Sequence, residues 1–161
     1  MTSQAADGPG REFVLVDGLS PADVTAVHRE ALRVLRSTID SAHLDAYSGA
    51  DWPPAVLHSY ERALSLAREA VADGSRSRRC DPGMGIDIDV RDDEQFAVLS
   101  DLACCTIHAE GRQGNRLVFS ASDSGTSLWI NVTRDQEEEL LARLDGLGIP
   151  STALAVRRHG R

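Results

Sequence analysis

The feature that most constrains the fold is the segment of residues 116–133, in which two alternating runs of apolar and polar residues flank a turn. The turn is Asp123-Ser124-Gly125, whose residue types are common in hairpin loops. Alternation with a period of two predicts strands that each bury one face. Thr133 and Gln136 then form a capping box, which predicts a helix over residues 134–144. The fold must therefore contain an antiparallel hairpin followed by a C-terminal helix.

Two amphipathic helices are predicted in the first half of the chain. Ser20 and Pro21 are typical of a helix start, and apolar residues at three-to-four spacing continue over residues 24–42. A second apolar stripe covers residues 56–71 and ends before Gly74. Because only a short break separates the two stripes, we predict a helical hairpin that packs on the sheet.

Further strand patterns complete the prediction of one domain. They occur at residues 13–16, 86–90, 106–110, 117–122, 127–132 and 153–156. Residues 92–105 fit neither period. We predict a single α+β domain over residues 12–157, with an N-terminal helical hairpin, a mainly antiparallel sheet and a C-terminal helix. A flexible tail is predicted for residues 1–11, and a basic tail for residues 158–161.

Composition and charge limit the classes of function. The formal net charge of -8 argues against binding to nucleic acid or to anionic membranes, because neutralising phosphates requires a positive field. The sequence has no apolar run near the ~18 residues of a membrane span, and the N-terminus does not resemble a signal peptide. Three cysteines, two of them adjacent, do not form the even-numbered framework of a small secreted domain. We expect a cytoplasmic protein with reduced thiols.

One group of residues suggests nucleotide chemistry. A turn at Gly74-Ser75 can hold phosphates, and Asp87 and Asp89 share one face of a strand and suit Mg²⁺. Arg76 can offset phosphate charge. Two carboxylates beside a phosphate cradle are what metal-assisted nucleotidyl transfer requires.

Residues 74–90 locally resemble the signature of the small nucleotidyltransferases of the DNA polymerase beta superfamily. The resemblance implies that Gly74 and Ser75 bind phosphate and that Asp87 and Asp89 bind Mg²⁺. It also implies a third carboxylate, for which Glu110 is the best candidate. In that family a hydrophobic strand precedes the Gly-Ser pair, whereas a helix-like sequence precedes it here.

Cysteine and histidine residues give no convincing catalytic or metal site. Cys104 and Cys105 are adjacent, so on a strand their thiols would point to opposite faces and could not share a metal ion with His108. The other described candidates, His28, His43 and His58, fall in predicted helices. No base is placed to activate a thiol or a serine. We therefore assign no catalytic residue and no transition-metal ligand, and we favour a protein that is not an enzyme.

The last strand of the hairpin suggests an interaction surface instead. Trp129 and Asn131 share one face of the predicted strand, opposite the aliphatic residues at 128, 130 and 132. If the aliphatic face packs on helices, Trp129 faces outward and can anchor a partner. The first hypothesis is a small cytosolic interaction module without a cofactor, such as a regulator, chaperone or inhibitor, which binds another protein or forms a homodimer.

Two alternatives stay open. The first is the Mg²⁺-dependent nucleotidyltransferase or nucleotide-binding enzyme described above. The second is a small-molecule binding module, which would have an enclosed apolar cavity between the helices and the sheet.

Overall fold

Seven strands and four helices make up the chain in the computed structural model, which describes residues 10–78 and 81–158. The strands are β1 (Arg11–Leu15), β2 (Ser41–Leu44), β3 (Ile86–Ile88), β4 (His108–Gln113), β5 (Arg116–Ser122), β6 (Ser127–Val132) and β7 (Leu154–Val156). The helices are α1 (Pro21–Leu35), α2 (Leu57–Ala72), α3 (Asp93–Leu102) and α4 (Arg134–Gly146). The predicted tail over residues 1–11 and the predicted basic tail lie mostly outside the described residues, although Arg11 already belongs to β1. The single domain over residues 12–157 stays a prediction.

The strands form one sheet in the order β3-β2-β4-β5-β6-β1-β7, and every pairing is antiparallel. The predicted α+β class is therefore confirmed. Strand β6 and helix α4 begin where the sequence predicts, and the capping box of Thr133 and Gln136 is present. Residues 154–156 form the predicted edge strand, paired with β1.

The region that follows α1 differs from the prediction. Helix α1 begins after the predicted cap Ser20 but ends at Leu35, and residues 41–44 form β2 between β3 and β4. Ile39 and Ala42 continue the helical spacing, yet both are buried outside the helix. The spacing of Ala42 and Leu44 also fits a strand. Pairing with β3 on one edge and β4 on the other favours the strand over a continued helix.

Helix packing does not reproduce the predicted helical hairpin. Strand β2 separates α1 from α2, and α1 packs mainly on α4 whereas α2 packs mainly on α3. Helix α3 lies within residues 92–105, where the spacing of apolar residues predicted neither helix nor strand. Asp92 caps this helix by accepting a hydrogen bond from the Gln95 N–H. None of the helices in the described part of the chain has the length and hydrophobicity needed to span a bilayer.

The sheet is buried on one face only. Residues that point toward the helices, such as Phe119, Ile130 and Leu44, are fully buried. The alternate positions on β2, β4, β5 and β6 are half-buried or exposed, and we call this second side of the sheet the open face. A register shift beside Gly111 pairs Arg112 with Leu117 and leaves Val118 as an extra residue.

The turn between β5 and β6 holds a left-handed backbone. Asp123, Ser124 and Gly125 all have positive φ angles, of 54°, 56° and 91°. A hydrogen bond to the segment before β4 stabilises the turn, because the N–H of Ser124 donates to the Thr106 carbonyl oxygen at 2.9 Å. Gly125 lies against the loop after α3, where an added Cβ would stand 2.5 Å from the Cys104 carbonyl oxygen.

Replacing Gly125 by alanine is expected to destabilise the fold more than the same change at Gly114. Gly114 also has positive φ, of 58°, but an added Cβ there meets nothing within 4 Å. Gly114→Ala should therefore cost only about 1–2 kcal/mol of backbone strain. Gly125→Ala adds a clash with backbone and should cost at least about 1 kcal/mol more. Urea unfolding of both variants measures the difference, and equal midpoints with equal slopes would contradict the described turn.

Candidate functional site

One row of paired residues crosses the whole open face. Register pairs connect Asp87 to His43, His43 to Glu110, Glu110 to Ser120, Ser120 to Trp129, Trp129 to Val14, and Val14 to Ala155. The row therefore contains three residues singled out in the sequence, namely Asp87, Glu110 and Trp129. Because helices cover only the opposite face, this row is the part of the sheet that other molecules can reach.

Trp129 and Asn131 lie on the open face at the β1 side of the sheet. Both are half-buried, and they flank Ile130, which is fully buried against the helices. The indole Nε1 of Trp129 and the Oδ1 of Asn131 are shielded from solvent and have no hydrogen-bond partner among residues 10–78 and 81–158. A buried indole N–H usually has an acceptor. The pair therefore places two polar atoms without partners just beneath the surface of the open face.

Two shallow clefts surround these residues. One, of about 340 Å³, is lined by Trp129 together with Val14 and Ser120. The other, of about 530 Å³, is lined by Asn131, Glu12 and three arginines, which are Arg11, Arg116 and Arg157. Arg157 lines both clefts. Arg11 is already paired with Glu137 at 2.8 Å, so Arg116 and Arg157 are the arginines of this cleft that can meet a partner.

A cluster of two histidines and one carboxylate lies on the open face at strands β2 and β4. Strand pairing places His43 of β2 opposite Glu110 of β4, and the two-residue period places His108 on the same side. His43 Nε2 lies 3.0 Å from Glu110 Oε1, and His108 Nε2 lies 3.5 Å from Glu110 Oε2. One ligand atom from each residue falls within 4.8 Å of the others. These three side chains could together hold a metal ion.

Glu110 also contacts the guanidinium of Arg112, at 3.3 and 3.4 Å. Partial burial acts to raise the pKa of Glu110, but the hydrogen bonds from Arg112 and the charges of His43, Arg112 and His108 outweigh it. The pKa of Glu110 therefore lies below its usual range, and the carboxyl group is ionised at neutral pH.

The Gly74-Ser75 pair forms the C-terminal cap of α2. The N–H groups of Gly74, Ser75 and Arg76 donate to the Val71 carbonyl, the Asp73 carboxylate and the Ala70 carbonyl, respectively. Those donors are thus already engaged. The C-terminal end of a helix also carries partial negative charge, which disfavours phosphate.

The remaining residues of the nucleotide hypothesis are spread over the fold. The guanidinium of Arg76 donates to three loop carbonyl oxygens, those of Pro82, Met84 and Gly85. Asp89 lies in the turn before α3, where its carboxylate accepts from the Arg91 N–H. Asp87 lies on the open face with His43 between it and Glu110. The cleft lined by Arg76 and Arg78 contains neither aspartate. This arrangement does not favour the nucleotide hypothesis, which stays a prediction.

The histidines occupy three different settings. His28 is buried in α1, where its Nδ1 lies 2.7 Å from the Val24 carbonyl oxygen, and burial lowers its pKa. His58 is exposed on α2. His43, predicted on a helix, lies on strand β2. Sequence reasoning missed the cluster for that reason, although the His108-x-Glu110 spacing on a predicted strand was a visible signal.

The two adjacent cysteines lie in the turn after α3 and not on a strand, so their thiols point the same way. Their Sγ atoms are 3.7 Å apart, and the Thr25 hydroxyl lies 3.7 Å from Cys104 Sγ. Both line a cleft of about 420 Å³. The hydrogen bond from Cys105 lowers the pKa of Cys104 to about 6, despite burial, with help from Thr25 and the Arg29 charge. The pKa of Cys105 is raised in turn. Cys80 lies outside the described residues.

Cys104 is expected to react with alkylating agents at a lower pH than an ordinary cysteine thiol, whose pKa is about 8.5. Because its pKa is lowered, the reactive thiolate predominates above pH 6 and is lost as the pH falls through that value. The pH–rate profile with iodoacetamide should be measured in a Cys80→Ser background. Cys105→Ala removes the donor and should move the midpoint upward, whereas Cys105→Ser keeps a hydroxyl donor and should move it less. Identical profiles in all three proteins would contradict the assignment.

Comparison of the chain with protein-family models, with curated proteins and with solved structures gave no match.

Proposed function

We propose that this protein is a small, non-catalytic interaction module that binds a protein partner through the Trp129 end of its open face. The observation that carries the proposal is the half-buried Trp129 on the open face, in a cleft next to one that Arg11, Arg116 and Arg157 line. The proposal includes a cytoplasmic location, and binding of the partner at Trp129 requires no cofactor.

The surroundings of Trp129 support an interface at this position. Aromatic and arginine side chains that lie in depressions commonly dominate binding energy. Trp129 lines one cleft, and Arg11, Arg116 and Arg157 line the neighbouring one. A partner with an apolar side chain beside a carboxylate would pack on the exposed part of Trp129 and pair with Arg116 and Arg157. The acidic remainder of the surface would repel partners of the same charge and so add selectivity.

Self-association through this face is one form of the same proposal. A two-fold dimer would place Trp129 and Asn131 of one copy near the same residues of the second. The exposed parts of the two Trp129 rings could then pack against each other across the two-fold axis.

A photo-crosslinking amino acid at position 120 tests the proposal. Ser120 pairs with Trp129 in the sheet, whereas Arg68 is exposed on α2 in the helical layer and serves as the matched position. In the cytosol of the source organism, crosslinks to a specific protein or to a second copy are expected from position 120 and not from position 68.

Trp129→Ser is expected to weaken this complex by about 2 kcal/mol or more, which corresponds to roughly 30-fold in affinity. The affinity should be measured with the captured partner, or by sedimentation if the product is a dimer. Circular dichroism checks that the variant folds. Equal crosslinking from both positions, or an unchanged affinity in a folded Trp129→Ser variant, would contradict the proposal.

A further inference from the structure

We propose that His43, His108 and Glu110 form a binding site for a transition-metal dication, with Zn²⁺ as the preferred ion. This site lies on the same open face as Trp129, on the β2 side of the sheet, and does not depend on the proposed interaction function. On the ideal strand spacing of about 4.8 Å, two strand intervals separate Glu110 from Trp129, or about 10 Å.

The first argument is the convergence of the donor atoms. Each histidine directs the same ring nitrogen, Nε2, at the carboxylate of Glu110. In a tetrahedral zinc site with bonds of 2.0–2.1 Å, neighbouring ligand atoms lie about 3.3 Å apart. The two nitrogens face different carboxylate oxygens, with His43 Nε2 at 3.0 Å from Oε1 and His108 Nε2 at 3.5 Å from Oε2, and one ligand atom of each residue lies within 4.8 Å of the others. An ion would therefore take the place of these imidazole–carboxylate contacts after small rotations of the three side chains.

The second argument is how the three ligands are held. Glu110 is mostly buried, with 13% of its side chain exposed, and it is positioned by β4 between two paired strands. The side chains of His43 and His108 are 36% and 37% exposed. The imidazole rings lie 5.9 Å apart between centroids and are tilted by 49°. A rigid carboxylate with two partly exposed imidazoles lets the rings close on an ion that arrives from solvent.

The third argument is the chemistry of the ligand set. Mg²⁺ and Ca²⁺ prefer oxygen ligands, so two imidazoles disfavour them. Two imidazoles and one carboxylate suit Zn²⁺ and its neighbours among the divalent transition metals. With three protein ligands, a fourth coordination position is left for water or for a group from another molecule. Because the cluster lies on the open face, that position is accessible from solvent.

The positive charge of Arg112, which lies next to Glu110, disfavours binding of a metal ion at this site. Its guanidinium contacts Glu110 at 3.3 and 3.4 Å, longer than the 2.7–2.9 Å or so of a strong charge-assisted pair. The carboxylate is thus closer to His43 than to its arginine neighbour. A dication would compete with Arg112 for Glu110, so removing the guanidinium should tighten metal binding.

Titration with Co²⁺ tests the proposal directly. The full-length protein, freed of any purification tag and treated with a chelator, should show one equivalent of Co²⁺ with the visible absorption of a four- or five-coordinate ion. Zn²⁺ should displace the Co²⁺ and should raise the melting temperature, because it binds only the folded state. His58→Ala is the matched control, since His58 is exposed on α2.

Loss of a group that only orients a metal ligand typically weakens metal binding by roughly 10- to 100-fold. His43→Ala and His108→Ala each remove a ligand and should weaken Co²⁺ binding by more than that. Arg112→Gln should strengthen binding. Circular dichroism verifies folding, and His43→Gln supplies a second variant if His43→Ala unfolds.

Three results would overturn the site. The first is the absence of saturable binding to the wild-type protein. The second is equal affinity in the folded His43 variants and in His58→Ala. The third is a sulfur-to-cobalt charge-transfer band that disappears in Cys104→Ala, which would assign the ion to the cysteine pair instead.

Discussion

One-sided burial of the antiparallel sheet is the constraint on which the rest of the structure depends. Side chains alternate between the two faces, so the register of each strand decides which residues meet the helices. In β6 the register places Ile130 in the core and Trp129 on the open face. A slip of one residue would exchange them. The same rule fixes the other strands, and it brings His43 opposite Glu110. The core and both surface sites therefore result from a single set of strand pairings.

Local signals predicted the C-terminal half of the fold well. The turn residues after β5, the alternation in β6 and the capping box of α4 each act within a few residues, so sequence alone reveals them. Strand β2 was missed because Ala42 and Leu44 form a strand only when β3 and β4 flank them. The β2–β4 pairing joins residues far apart in the chain, and no local pattern encodes it. Since His43 belongs to β2, the cluster with Glu110 was beyond sequence reasoning for the same reason.

Some arginines in this acidic chain hold the structure together, although an arginine such as Arg76 suggests ligand binding when only the sequence is known. Arg76 ties together the loop before β3 through three carbonyl oxygens. Arg36 donates to the Val90 carbonyl oxygen and stacks over the ring of Phe96, so it joins the end of α1 to α3. Both guanidinium groups meet backbone oxygens that β-strands and helices leave without partners. A planar group with several donors suits that task better than an ammonium group does.

The two outer strands of the sheet, β3 and β7, contain three residues each. A strand at the border of a sheet exposes unpaired N–H and C=O groups that can template the addition of another chain. With so few such groups on either border, a foreign strand would gain only a small number of hydrogen bonds by continuing the sheet. The molecule is thereby protected from growing into a ribbon or fibre, even though one broad side of its sheet is uncovered.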